Sequence, residues 1–228
     1  MNNIFIKGLS FSYDNNREIF HDLNVSFSGE KINVLMGASG CGKTTLAKLI
    51  LGLKRYSGDI FIDELNINNI PTPKRNFAFV DQNIVLYPHM SVFQNIAYPI
   101  KNSYSSVEEI HRRVNDIAIT LKIDHCLSSK PSQISLGQAQ RVAIARALIK
   151  KPEIIIFDEP FANLDESIKS DIIHELKRYF TVNNCTVIFI THSVDDVLML
   201  GNQYYYLDNG EITFSGSQIE FLEFMKNE

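Results

Sequence analysis

The run Gly37-Ala38-Ser39-Gly40-Cys41-Gly42-Lys43-Thr44 constrains this chain more than any other stretch. It follows Lys31 to Met36, a short apolar run that reads as a buried strand, and opens a helical pattern with apolar positions Leu46, Leu49, Ile50 and Leu53. A strand that feeds a glycine-rich loop and then a helix exposes consecutive backbone N–H donors at the positive end of a helix dipole, an arrangement that cradles phosphate. The spacing is G-x-x-x-x-G-K-[ST], which lets Lys43 place a point charge on the β and γ phosphates and turns the Thr44 hydroxyl toward Mg²⁺. Gly37, Ala38, Ser39, Gly40, Cys41, Gly42, Lys43, Thr44 and the next residue, Thr45, are the candidate nucleotide contacts. Cys41 has helix N–H groups and Lys43 as neighbours, an environment that lowers a thiol pKa; the plainer reading is a small residue that fills the loop.

A second signal lies far downstream, where Ile154-Ile155-Ile156-Phe157 reads as a buried strand ending in two carboxylates, Asp158 and Glu159. Burying two such charges is costly without a counter-ion, and a metal ion resolves the conflict. Asp158 is then expected to hold Mg²⁺, directly or through water, and Glu159 to polarise the water that attacks the γ-phosphate. A helix N-cap pair before Pro160 is the structural alternative.

Around these motifs the pattern alternates. Strand Ile154 to Phe157, helix Ile168 to Phe180, strand Thr186 to Ile190 and helix Val194 to Leu200 call for a parallel α/β sheet. Ile4 to Tyr13, Leu23 to Phe27 and Gly58 to Asp63 alternate apolar and polar residues and read as antiparallel strands. Asp208-Asn209-Gly210 supplies the turn of a hairpin between Tyr204 to Leu207 and Glu211 to Phe214. From Ser106 to Ala147 the pattern is helical, with Val107, Ile110 and Val114 on one face. The expected fold is α/β: a P-loop NTPase core with a parallel sheet, an N-terminal antiparallel β subdomain and an inserted α-helical subdomain over about 88–150, all in a single domain 1–228.

Composition narrows the function further. A chain of 228 residues buries on the order of 70% of its unfolded surface, so neither disulfides nor a structural metal are required. Lys and Arg total 22 against 26 Asp and Glu, a net charge of -4 that offers no basic field for nucleic acid. No apolar run reaches the roughly 18 residues of a membrane span, and the N-terminus lacks the pattern of a signal peptide. Cys41, Cys126 and Cys185 have no paired spacing, which suits reduced thiols in the cytosol.

At Gln133-Ile134-Ser135-Leu136-Gly137-Gln138-Ala139-Gln140-Arg141, continuing to Leu148, the chain resembles the ATP-binding cassette family, the nucleotide-binding subunits of ABC transporters. The other landmarks of that family occur in order: Tyr13, Gln82, Asp158-Glu159, Ala162-Asn163-Leu164-Asp165 and Thr191-His192. The resemblance implies a head-to-tail dimer, of identical or different cassettes, that sandwiches two ATP molecules between the phosphate loop of one subunit and the signature run of the other. It implies that Tyr13 stacks on adenine, that Gln82 touches Mg²⁺ and the attacking water, and that Asp165 lies at the dimer interface. His192 would contact the γ-phosphate, and Ser135, Gly137 and Gln138 would complete the opposite site. His21, His89, His111, His125 and His174 have no nameable partners and read as ordinary surface or packing residues.

One position departs from the pattern. The signature is usually Leu-Ser-Gly-Gly-Gln, and Leu136 stands at the first glycine, where a side chain is expected to restrict φ or crowd the nucleotide and to weaken hydrolysis. The stretch from Pro73 to Gln82, with Leu86 to Val92 after it, is similar to cassettes that import small solutes, especially sugars and glycerol phosphate. There it implies a groove for a helix of transmembrane permease subunits, with a solute-binding protein as a further partner, at the cytoplasmic face of the membrane. That importer group usually carries an added C-terminal regulatory domain, whereas this sequence stops at Glu228, so a short vitamin, ion or amino-acid importer cassette fits equally. An exporter or lipid-extraction cassette, or a soluble non-transport ATPase of the same family, are the other readings.

Overall fold

The computed structural model describes residues 1–13, 18–103, 106–162 and 164–227. The backbone divides into two compact units, Met1–Phe77 with Glu153–Glu159 and Asn184–Glu228, and Ala78–Pro152 with Pro160–Asn183. The chain begins with β1 (Ile4–Ser12), β2 (Glu18–Phe27), β3 (Ile32–Met36), α1 (Lys43–Ile50), β4 (Ser57–Ile62) and β5 (Leu65–Asn66). Next come β6 (Phe77–Val80), α2 (Val92–Ala97), α3 (Val107–Thr120), α4 (Leu136–Leu148), β7 (Ile154–Asp158) and α5 (Glu166–Asn183). The last elements are β8 (Thr186–Ile190), α6 (Val194–Leu200), β9 (Gln203–Asp208), β10 (Glu211–Gly216) and α7 (Gln218–Phe224).

The first unit holds two sheets. One is antiparallel in the order β2-β1-β4-β5, and its strands alternate buried and exposed positions because one face meets the core. In the other, β9, β3, β8 and β7 lie side by side and run parallel, with β10 antiparallel on the β9 edge. Every residue of β3, β7 and β8 is buried, as continuous apolar runs such as Ile154-Ile155-Ile156-Phe157 require of strands covered on both faces. Phe27 of the first sheet meets Tyr205 of the second edge-to-face at 4.9 Å, and the Tyr205 hydroxyl donates to the Ser26 carbonyl at 2.7 Å. Burial pushes that phenol up to about 12.

α1 is shorter than its apolar pattern suggests. The N–H groups of Gly52 and Leu53 bond back to the carbonyls of Leu49 and Lys48, each at 2.9 Å, which closes the helix and leaves Leu53 53% exposed. The buried Arg75 guanidinium then donates to the carbonyls of Ile70, Ile50 and Ile67. The Ile67 carbonyl also accepts from the Ile70 N–H, but a buried carbonyl such as that of Ile50 left without a donor would cost about 1–3 kcal/mol, so Arg75 is a structural fork that joins the end of α1 to the chain beyond β5.

The second unit is mainly helical. α2, α3 and α4 pack on one another, and α3 buries Val114, Ile117 and Ala118; Val107, in its first turn, is exposed rather than part of that face. Buried Arg141 of α4 pairs with buried Glu175 of α5, and Lys122 reaches the same carboxylate at 2.8 Å.

Candidate active site

Parallel pairing sets the geometry of the site. β3 lies beside β8 with Leu35 opposite Ile190, and β8 lies beside β7 with Ile190 opposite Asp158. The phosphate loop, the Asp158-Glu159 pair and the Thr191-His192 pair therefore leave the sheet at one edge, beyond the carboxyl ends of the strands, where open α/β sheets place their ligands. Gly37 leaves β3 with φ +154°, and a Cβ there would stand 2.1 Å from the Leu207 carbonyl oxygen, so the loop can pass only with a glycine.

α1 starts at Lys43 with no side-chain cap and no acidic residue in its first turn, so its leading N–H groups and dipole suit an anion. Lys43 is buried, and its Nζ donates to the carbonyls of Gly37 at 2.7 Å and Ala38 at 2.8 Å, with the Cys41 sulfur at 3.9 Å. The ammonium thus rests on the loop's own oxygens. The Thr44 hydroxyl donates to Asp158 Oδ1 at 3.1 Å, and Asp158 is only 4% exposed. A hydroxyl beside a buried carboxylate is a hard-oxygen donor set of the kind Mg²⁺ selects, so these residues fit the metal that the sequence calls for.

Glu159 has φ +47° and its N–H donates to the Ile190 carbonyl at 2.9 Å. A left-handed glutamate is uncommon and costs about 1–3 kcal/mol of strain. Its Oε1 lies 3.1 Å from Nδ1 of His192, an exposed ring. The sequence suggests a His192 contact to phosphate and gives no sign of this carboxylate partner. Tyr13 is half exposed, its hydroxyl is 3.1 Å from the Thr45 hydroxyl, and Lys54 Nζ stands 5.4 Å from its ring centre. Lys54 has no motif to betray it.

The other expected site residues belong to the second unit. Gln82 is exposed, two residues past β6. Ser135 caps α4, its Oγ accepting from the Gln138 N–H at 3.2 Å while Gln138 Oε1 accepts from the Ser135 N–H at 2.9 Å. A Cβ at Gly137 would meet Ile168 Cγ2 at 2.9 Å, so this glycine is needed for the packing of α4 on α5. Leu136 is the first helical residue and 52% exposed; a leucine adopts helical φ without strain, so the expected restriction of φ does not arise and only side-chain bulk remains. His125 is not partnerless as the sequence suggests: its Nε2 lies 3.1 Å from Gln138 Nε2. The loop before α2 is held by two helices: its Tyr87 N–H donates to buried Asn95 of α2 at 2.8 Å, and its Val85 carbonyl accepts from Arg146 of α4 at 2.7 Å. Asp165 is exposed, and Asn163 lies outside the described residues.

Burial pushes the Cys185 thiol up to about 11 and the Cys126 thiol above its usual range, whereas Cys41 is only half buried and sits in the phosphate loop. Iodoacetamide is therefore expected to alkylate Cys41 first, with loss of nucleotide binding, and ATP is expected to slow the reaction. Peptide mass spectrometry after timed labelling checks this, and equal labelling with and without ATP would count against it.

A family model for ABC transporters matches residues 20–162. Over 224 residues the chain is 37% identical to the sn-glycerol-3-phosphate import ATP-binding protein UgpC of Psychromonas ingrahamii, which takes in 98% of this chain. The chain spans 60% of the length of that relative. Among solved structures, cbiO1 from Clostridium perfringens, part of the ABC transporter complex cbiONQ, superposes with a TM-score of 0.91 at 25% identity, over 100% of this chain and 93% of that one. The ATP-binding cassette MJ0796, solved as a dimer bound to ADP and Pi in a post-hydrolysis state, gives a TM-score of 0.83 at 28% identity, over 94% of this chain and 98% of that one. The chain belongs to the ABC transporter family.

Proposed function

We propose that this chain is the ATP-hydrolysing cassette of a transporter that imports a small solute through separate membrane subunits, working at the cytoplasmic face of the membrane. The observation that carries the reading is the single sheet edge where the phosphate loop, the Thr44–Asp158 contact and the Glu159–His192 pair meet. Import is supported by the likeness to an import ATP-binding protein over nearly the whole of this chain. No helix among the described residues is long and apolar enough to cross a membrane, so permease subunits would supply the pathway. The whole chain, with its helical insert over about 88–150, acts in this reading as one cassette.

The chemistry follows from the residues. The loop N–H groups and Lys43 hold the β and γ phosphates, for which Lys43 must leave the Gly37 and Ala38 carbonyls. Tyr13 offers its exposed ring to adenine. Thr44 and Asp158 would hold Mg²⁺, which neutralises charge on the phosphate oxygens when bound. Glu159 takes a proton from the attacking water as its oxygen bonds to the γ-phosphorus, and the bond to the bridging oxygen breaks to leave ADP and phosphate. His192 holds the Glu159 carboxylate in position. Ser135, Gly137 and Gln138 of a second cassette close over the nucleotide, and closure, relayed through the Gln82 loop, reorients the membrane subunits.

Capture of the tagged chain from detergent-solubilised membranes, with mass spectrometry of its partners, tests the reading. Polytopic subunits together with a solute-binding protein are expected; polytopic partners alone would point to export, and none to a soluble role. In ATPase assays, Glu159→Gln is expected to slow turnover by roughly 10² to 10⁴ while nucleotide binding persists, the range for a lost general base. Near wild-type turnover would refute that role. Leu136→Gly is expected to raise turnover in the same assay, and no gain would show that the bulk of Leu136 is harmless.

A further inference from the structure

We infer that His125 is a positioning residue for the signature helix: its neutral imidazole accepts a hydrogen bond from the Gln138 amide and holds the cap at the start of α4 in its closed form. The inference rests on the reading above that Ser135, Gly137 and Gln138 complete the ATP site of a partner cassette.

The direction of the hydrogen bond is fixed by the network. Gln138 Oε1 is the acceptor for the Ser135 N–H at 2.9 Å; turning the amide over would set its NH₂ against that N–H, donor against donor. The atom facing the ring is therefore Nε2, 3.1 Å from His125 Nε2. An amide NH₂ only donates, so the ring nitrogen must present its lone pair and the ring proton must sit on Nδ1. The backbone that carries the ring is fixed at the next residue, where Cys126 is buried and its thiol donates to the Ile123 carbonyl at 3.2 Å.

Protonation reverses the contact. A cationic ring has a donor on both nitrogens, so the Gln138 amide either turns its oxygen to the ring and takes it from the Ser135 N–H, or parts from the ring and loses its anchor. Ser135 is the N-cap of α4, and half of its reciprocal cap is lost with that bond. The surroundings do not offset the change. The group facing the ring from α4 is the neutral Gln138, the first turn of α4 has no acidic residue, and the charge in the ring's own turn is Asp124. Among the described residues no carboxylate forms an ion pair with His125 within 4.0 Å. A positive charge at a helix N-terminus also opposes the dipole. Once the ring is cationic, the signature helix would lose its ordered cap.

The test uses the full chain and compares wild type, His125→Gln and His125→Arg in steady-state ATPase assays from pH 6 to 8.5, with nitrogen-15 NMR of the ring. The carbamoyl oxygen of His125→Gln accepts at every pH, so its KM for ATP should stay flat, while wild-type KM should rise about 3- to 10-fold on acidification, the effect of one lost hydrogen bond. His125→Arg, a permanent donor, should show the raised KM already at pH 8. The wild-type ring should be the Nδ1–H tautomer at pH 8. A His125→Gln profile that follows wild type, or an Nε2–H ring at pH 8, would overturn the inference. Ser135→Ala is measured alongside: if it leaves KM and turnover unchanged, the reading of α4 as an ATP contact fails and the inference falls with it.

Discussion

The parallel register of β3, β8 and β7 is the constraint on which the site depends. Leu35, Ile190 and Asp158 stand in one row across three strands, so each chain segment leaves the sheet at the same height. The row is fixed because these strands are buried on both faces and a slip of one residue would leave backbone donors and acceptors unpaired in the core. Segments remote in sequence then bring Lys43, the Thr44 hydroxyl with the Asp158 carboxylate, and the Glu159–His192 pair to one place. Two special positions stand where the chain turns out of that row: Gly37 accepts a close approach to Leu207, and Glu159 bears a left-handed backbone.

How much of this was legible in the sequence depended on whether the physics was local. The phosphate loop is contiguous, and its spacing alone places donors, charge and hydroxyl, so Gly37 to Thr44 could be read directly. Strands β3, β7 and β8 announced themselves as apolar runs. The Glu159–His192 contact could not be read, because it exists only once β7 and β8 are paired. Arg75 was legible only as one more charge in a polar stretch, and its three carbonyl partners come from turns whose shape no periodicity reports. His125 escaped for a similar reason, since Gln138 reaches it only after the chain has passed through a further turn and begun α4.

The signature run shows how a departure from a family pattern can be judged physically. Two adjacent glycines are usual there, and this chain keeps the second. The structure separates their duties: Gly137 is closed in by Ile168, so a side chain there would push α4 off α5, whereas Leu136 extends into open space from an unstrained helical backbone. The substitution therefore falls at the position where the fold of the isolated chain has no objection. In the proposed dimer its cost would arise only when a second cassette brings a nucleotide against the start of α4.

That separation also locates where this cassette can be tuned. In the first unit three charged groups at the sheet edge are already engaged with another part of the same edge: Lys43 with two carbonyls, Asp158 with Thr44, Glu159 with His192. In the proposed ATP site, nucleotide binding would exchange these contacts for phosphate, metal and water, so affinity would be a difference between two satisfied states rather than the filling of an unsatisfied one. At α4 the reciprocal bonds between Ser135 and Gln138 play the same part, keeping the helix start ordered before any phosphate arrives. In the proposed dimer a pre-ordered cap would lower the entropy cost of closure, and whatever holds Gln138 in place would set how much of that saving is realised.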